Sequence, residues 1–126
     1  LAAGWGPMGI IYEEERAFAE AITAYRIFLE VHPEDFEIHC RLGLLLFEKG
    51  ALGEARQHLA DAAEVAKETS PYSKWRFTAL YYLGVIAEKE GNKAKAIEVY
   101  QAYIADAPID AIDRDEVLSR LEKLKP

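Results

Sequence analysis

Residues 5–33 read WGPMGIIYEEERAFAEAITAYRIFLEVHP, and the marks that matter are Trp5, Met8, Gly9, Tyr12, Ala21, Tyr25 and Pro33. The same spacing recurs twice downstream. In the second copy His39, Leu42, Gly43 and Leu46 stand where the first has Trp5, Met8, Gly9 and Tyr12, and Ala55 and Leu59 follow. In the third the series is Leu80, Leu83, Gly84, Ala87, Ala96, Tyr100 and Pro108. Nine residues separate the last mark of the first group from the alanine in each copy (12 to 21, 46 to 55, 87 to 96). The glycines at 9, 43 and 84 and the alanines at 21, 55 and 96 give the same two periods, 34 and then 41. The second copy carries Lys67 where the others have proline.

Small residues at matching places inside apolar helical patterns point to helices that cross closely, since a larger side chain would hold the backbones apart. Glycine within a helix costs about 1 kcal/mol relative to alanine, so three at one register position indicate a packing need. The pattern resembles the tetratricopeptide repeat, a helix–turn–helix unit of about 34 residues. The resemblance covers roughly residues 2–110. It implies an all-α fold: an antiparallel helix-hairpin solenoid, a right-handed superhelix whose inner wall is built from the first helix of each pair. Repeats at about 2–35, 36–70 and 71–110 and a capping helix at about 113–124 make seven helices in a single domain over 1–126.

Periodicity and punctuation place the helices. LAAG at 1–4 reads as a frayed terminus, and the first helix is expected from Pro7 to Glu15, with Trp5 outside it and folded back. The second runs from Arg16 to Val31, with Ala17, Ala21, Ile22, Tyr25, Phe28 and Leu29 inward, and is stopped by Pro33. The third spans Glu34–Lys49 with Gly50 as a left-handed cap; Phe36, Leu42, Leu45 and Leu46 face inward. The fourth covers Leu52 to about Glu68, with Leu59, Ala62, Ala63 and Ala66 inward. Ser70 and Pro71 read as the cap and first residue of a long fifth helix ending near Glu90. The seven extra residues of the second period are then helix extension shared by both arms, and Tyr72 and Trp75 on the added piece are expected to cover the fourth helix, with a contact surface for a partner as the alternative. Lys93–Ala105 forms the sixth helix, with Ala96, Ile97, Tyr100 and Ile104 inward. Asp113 and Glu116 suggest a capping box for a seventh, whose stripe is Val117, Leu118, Leu121 and Leu124. Such a helix closes the apolar end of a repeat array; no comparable cap precedes the first repeat, so further repeats are expected before Leu1.

Composition narrows function. The net charge of −7 argues against a nucleic-acid partner. No apolar run reaches the roughly 18–20 residues of a bilayer span, so no membrane insertion is expected. No signal peptide is visible and Cys40 is alone, which fits a reducing, cytoplasmic setting. No C-x2-C, H-E-x-x-H, G-x-S-x-G or phosphate loop occurs, so no catalytic residue, metal or cofactor is expected and the chain reads as no enzyme. His39 stands at a packing position and reads as a satisfied core histidine. Glu13-Glu14-Glu15 reads as a solvated face.

The remaining expectation is a protein or peptide partner. The helix faces opposite the packing marks hold Gly6, Ile10 and Glu13; Glu37, Cys40, Arg41, Leu44 and Glu48; and Thr78, Tyr81, Tyr82, Val85 and Lys89. Cys40, Leu44, Tyr81 and Val85 are expected to form one apolar patch free of core duties, with an acidic rim, that takes a largely apolar segment bearing Lys or Arg. Family members that clamp a terminal carboxylate need several cationic donors there; Arg41 alone stands in the central part. The competing expectation is a homo-oligomer assembled through the first repeat.

Overall fold

The computed structural model describes residues 4–126, so the reading of LAAG lies largely outside the described residues. Within them run seven α-helices and no strand: α1 (Trp5–Glu14), α2 (Phe18–Val31), α3 (Phe36–Lys49), α4 (Leu52–Thr69), α5 (Lys74–Lys89), α6 (Lys93–Asp106) and α7 (Arg114–Leu124). Each helix packs chiefly on its sequence neighbours, and α3 also meets α5. This is an all-α helical-repeat solenoid.

The recurring glycines receive a side chain from the partner helix. A Cβ built on Gly9 would lie 2.4 Å from Cε1 of Tyr25, one on Gly43 2.7 Å from Cγ of Leu59, and one on Gly84 2.0 Å from Cε1 of Tyr100. Each glycine is therefore a notch for the large residue sixteen positions on. The paired alanines Ala21, Ala55 and Ala96 are wholly buried, as are Tyr25, Leu59 and Tyr100.

The three intra-repeat turns share one geometry. Gly50 and Gly91 take φ of 89° and 74°, and Arg16, at the same register, takes φ of 61°. The residue after each returns its N–H to a carbonyl five back: Ala17 to Tyr12, Ala51 to Leu46, Asn92 to Ala87. This is the Schellman closure, which glycine accepts freely and arginine does not. It also corrects the start of the second helix from Arg16 to Phe18.

The seven extra residues are accounted for by helix. From the packing alanine to the helix end is ten residues in α2 (Ala21 to Val31) and fourteen in α4 (Ala55 to Thr69). From helix start to the notch glycine is seven residues in α3 and ten in α5. Arg76, 4 % exposed, secures this lengthened end by pairing with Asp106 at 2.9 Å and donating to the Pro71 carbonyl at 2.9 Å.

Several boundaries differ from expectation. α1 begins at Trp5, inside the helix, because Pro7 falls where backbone N–H groups have no helical acceptor in any case. α3 begins at Phe36, with the Asp35 carboxylate accepting from Ile38 N–H. α5 begins at Lys74 and is capped by Ser73. Ser70 and Pro71 instead form a turn closed by Ser73 N–H to Ser70 C=O at 2.9 Å, where proline favours the second position. Tyr72 at that turn is 75 % exposed and covers nothing; Trp75 lies against Arg41 of α3, 5.0 Å from ring centre to guanidinium carbon. Asp113 makes no side-chain cap bond, since its φ −102°, ψ 10° backbone is not the extended one from which a carboxylate reaches back. In α7 Val117 and Leu121 are buried but Leu118 is exposed, and in α6 Val99 and Tyr103 join the core beside the expected residues.

Candidate interaction surface

The odd-numbered helices α1, α3, α5 and α7 are stitched into one wall by side chains that cross between them. At the α1–α3 junction, Tyr25 from α2 donates its hydroxyl to Glu13 Oε1 at 2.6 Å. Arg41 of α3 pairs with the same Glu13 at 3.5 Å and with Glu37, four residues earlier, at 2.9 Å. The α5–α7 junction repeats this arrangement: Tyr100 donates to Glu88, and Arg120 of α7 pairs with Glu88 at 2.9 Å and with Glu116 at 3.0 Å. Burial and the facing carboxylate push the phenol pKa of Tyr25 and of Tyr100 well above the ordinary value. The α3–α5 junction has apolar residues at the same register: Leu59 for the tyrosine, Phe47 for the glutamate, Tyr82 for the arginine. Phe47 and Tyr82 meet edge to face at 5.2 Å, and Tyr82 meets Tyr81 at 5.0 Å.

The residues read as groove-lining therefore divide. Glu13, Glu37 and Arg41 are on the wall but engaged with one another. Cys40 and Val85 are corrected to core: 0 % and 8 % exposed, they lie under the surface because α5 packs beside α3 and covers faces that seemed free on each helix alone. Desolvation pushes the Cys40 thiol up to about 12. Ile10, Leu44, Thr78, Tyr81 and Tyr82 are half-buried, and Glu48 and Lys89 are exposed. The open apolar strip is thus Leu44, Tyr81 and Tyr82, with Phe47 beneath Lys89, whose ammonium is 6.0 Å from the ring centre. The glutamate–tyrosine junctions went unread in the sequence, because each joins residues on three helices; the repeated Glu at four past Gly9 and Gly84 was the available signal.

Clefts also lie elsewhere among the described residues. One, about 640 Å³, runs between α4 and α6 over α5, with Ala63, Leu80, Leu83 and Ala87 in its lining and Arg56, Lys67 and Glu98 at its edges. Another, about 730 Å³, sits by the inter-repeat turns between Phe28, His32, Glu37 and Trp75. His39 is buried with both ring nitrogens partnered, by Pro33 C=O at 2.7 Å and His58 Nδ1 at 3.1 Å, as the core reading expects.

Comparison with known proteins places this geometry. One tetratricopeptide repeat model matches residues 8–73 and another matches residues 78–108. A TPR repeat-containing protein of Synechococcus elongatus is 31 % identical over 102 residues, 80 % of this chain and 24 % of that protein. The cytochrome c-type biogenesis protein CycH of Bradyrhizobium diazoefficiens is 28 % identical over 96 % of this chain and 32 % of its own length. The chain thus spans about a quarter to a third of these relatives. Among solved structures, the N-terminal domain of stress-induced protein-1 from C. elegans superposes with a TM-score of 0.81 at 18 % identity, covering 99 % of this chain and 94 % of that one. The TPR2AB domain of yeast Sti1, solved as a complex with pHSP90, gives 0.70 at 25 % identity over 98 % of this chain and 45 % of that one.

Proposed function

The chain belongs to the tetratricopeptide repeat family, whose members mediate protein–protein interactions, and on that premise we propose that its wall holds a largely apolar peptide segment of a partner protein. The observation that carries this reading is the strip of Leu44, Tyr81 and Tyr82, half-exposed at the middle of the wall. Aromatic side chains with accessible faces are the groups that dominate peptide and protein recognition. Acidic Glu48 beside the strip, on a chain of net charge −7, favours a segment carrying Lys or Arg. A clamp for a terminal carboxylate is disfavoured, although the Sti1 domain was solved with pHSP90: Arg41 and Arg120 are each committed to two glutamates. A displayed peptide library panned on the protein tests this reading. The expected result is apolar, cationic peptides whose binding falls at least tenfold with Leu44→Glu or Tyr81→Glu; peptides indifferent to both substitutions would overturn it.

A second reading is favoured by one observation. Met8 is 41 % exposed, whereas Leu42 and Leu83 at its register are 0 % and 8 % exposed. Ile11 is 50 % exposed against 0 % for Ile86. The counterparts sit on helices that pack against a preceding hairpin, α2 or α4, so Met8 and Ile11 present a face shaped for another helix. Self-association through this face would raise the mass seen by light scattering with concentration, and Ile11→Glu would abolish the rise.

A further inference from the structure

Away from the wall, α3 and α4 bring His39, His58 and Asp61 together, with one ligand atom of each lying within 4.8 Å of the others. The two imidazole Nδ1 atoms are 3.1 Å apart. His39 Nε2 lies 2.7 Å from the Pro33 carbonyl oxygen. A carbonyl only accepts, so Nε2 holds the proton and Nδ1 of neutral His39 is a bare lone pair. His58 turns its Nδ1 to that lone pair and its Nε2 toward Glu54 Oε2, 3.8 Å away. Glu54 is itself fixed by Arg26 through contacts of 2.7 and 2.8 Å. His39 therefore has an oxygen acceptor behind Nε2, the arrangement that orients metal-bound histidines, and Glu54 stands near the outer nitrogen of His58 without a hydrogen bond to it.

With both Nε2 atoms protonated, two lone pairs would face each other at 3.1 Å. A proton on Nδ1 of neutral His58 turns that contact into an N–H···N hydrogen bond to His39, and a metal ion can take that proton's place. A tetrahedral zinc ion with Zn–N bonds of about 2.05 Å sets two nitrogens roughly 3.3 Å apart, close to the spacing already present. Asp61, three residues from His58 and exposed, brings a carboxylate, leaving a fourth position to water.

We propose that His39 Nδ1, His58 Nδ1 and an Asp61 carboxylate oxygen bind one zinc-class divalent ion that clamps α3 to α4. Two imidazoles and one carboxylate suit zinc, nickel or copper rather than magnesium or calcium. The clamp lies in the middle repeat, which contributes only Leu44 to the apolar strip, and it stands independently of what that strip binds.

The test is calorimetric titration of chelator-stripped protein with zinc chloride, beside a magnesium control. The expected result is one zinc ion per chain, a melting temperature that rises with zinc concentration, and no heat from magnesium. His58→Ala and Asp61→Asn sit at half-buried and exposed positions and keep the helical circular dichroism, whereas buried His39 is left in place. His58→Ala should weaken zinc binding at least a hundredfold and Asp61→Asn about tenfold, with His32→Ala unchanged. No saturable uptake, or uptake equal in the native chain and the His58→Ala variant, overturns the proposal.

Discussion

The outer junctions of the wall and its middle junction solve one packing problem with opposite chemistry. Tyr25, Glu13 and Arg41, like Tyr100, Glu88 and Arg120, fill the space beside the notch with a hydrogen-bonded charged cluster. Leu59, Phe47 and Tyr82 fill it with hydrocarbon and aromatic edges. The charged version is directional and leaves no buried side-chain polar atom of the cluster without a partner, which fixes one relative setting of neighbouring repeats. The apolar version has no such demand, and it frees Tyr82 from any carboxylate. The strip at the centre of the wall is therefore the surface expression of an inner substitution: where the cluster is lost, the wall turns apolar.

The notches carry the largest expected effects. Gly84→Ala puts a methyl 2.0 Å from the Tyr100 ring, which its hydroxyl bond to Glu88 holds in place. A loss of about 3 kcal/mol is expected, or roughly 10 °C in melting temperature for a domain of this size. Gly43→Ala meets the more yielding Leu59 and should cost less, about 1–2 kcal/mol. Equal losses on thermal unfolding would remove the distinction between a pinned and a free partner.

Next in size are the junctions themselves. Glu88→Gln leaves Arg120 and Tyr100 without their shared anion and should cost about 1–2 kcal/mol at low salt. The loss should shrink in 1 M salt, since Arg120 and Glu88 keep about a third of their surface in solvent. Phe47→Leu trims the apolar junction by about 1 kcal/mol, with no salt dependence. Denaturant titrations at two ionic strengths separate them.

Alkaline titration probes the buried side of the same wall. Cys40 keeps its thiol proton up to about 12 when folded and to roughly 8.5 when unfolded. The raised folded value means that stability present below about pH 8.5 is lost as pH climbs toward 12, by up to about 1.4 kcal/mol per unit. Cys40→Ala should flatten that decline between pH 9 and 10, before the tyrosines of the unfolded chain titrate.

The smallest effect compares turns. Arg16 holds the left-handed conformation that Gly50 and Gly91 hold elsewhere. Arg16→Gly should stabilise by about 0.5–1 kcal/mol, and Gly91→Ala should destabilise by about 1 kcal/mol. A loss on Arg16→Gly would mean that the guanidinium, 5.3 Å from the Phe18 ring centre, outweighs the backbone strain.

The backbone plan was legible because glycine, alanine and proline act locally: Gly43, Ala55 and Gly50 each signal a crossing or a cap from their own position. Pro71 misled for the same local reason, since a first helical position and a turn's second position suit it equally. The surface was less legible. Cys40 and Val85 looked free when each helix was read as a cylinder against one partner, but α3 and α5 bury each other's flanks. The Tyr–Glu–Arg clusters and the His39–His58 approach join residues on different helices; the first leaves only the repeated glutamate four past Gly9 and Gly84 as a trace in the sequence, and the second leaves none.

The lengthened α4 and α5 carry one more lesson, about rotational phase. A helix turns about 100° per residue, so four residues on one arm overshoot a full turn by about 40° and three on the other fall short by about 60°. The two errors nearly cancel, leaving about 20°, the familiar drift of a heptad. The α4–α5 pair thus grows by about one turn in each arm while Leu59 still meets Gly43 and Tyr100 still meets Gly84. An insertion of five or nine at this tip would swing one arm's apolar stripe out to water, so tolerated growth here should come in sevens.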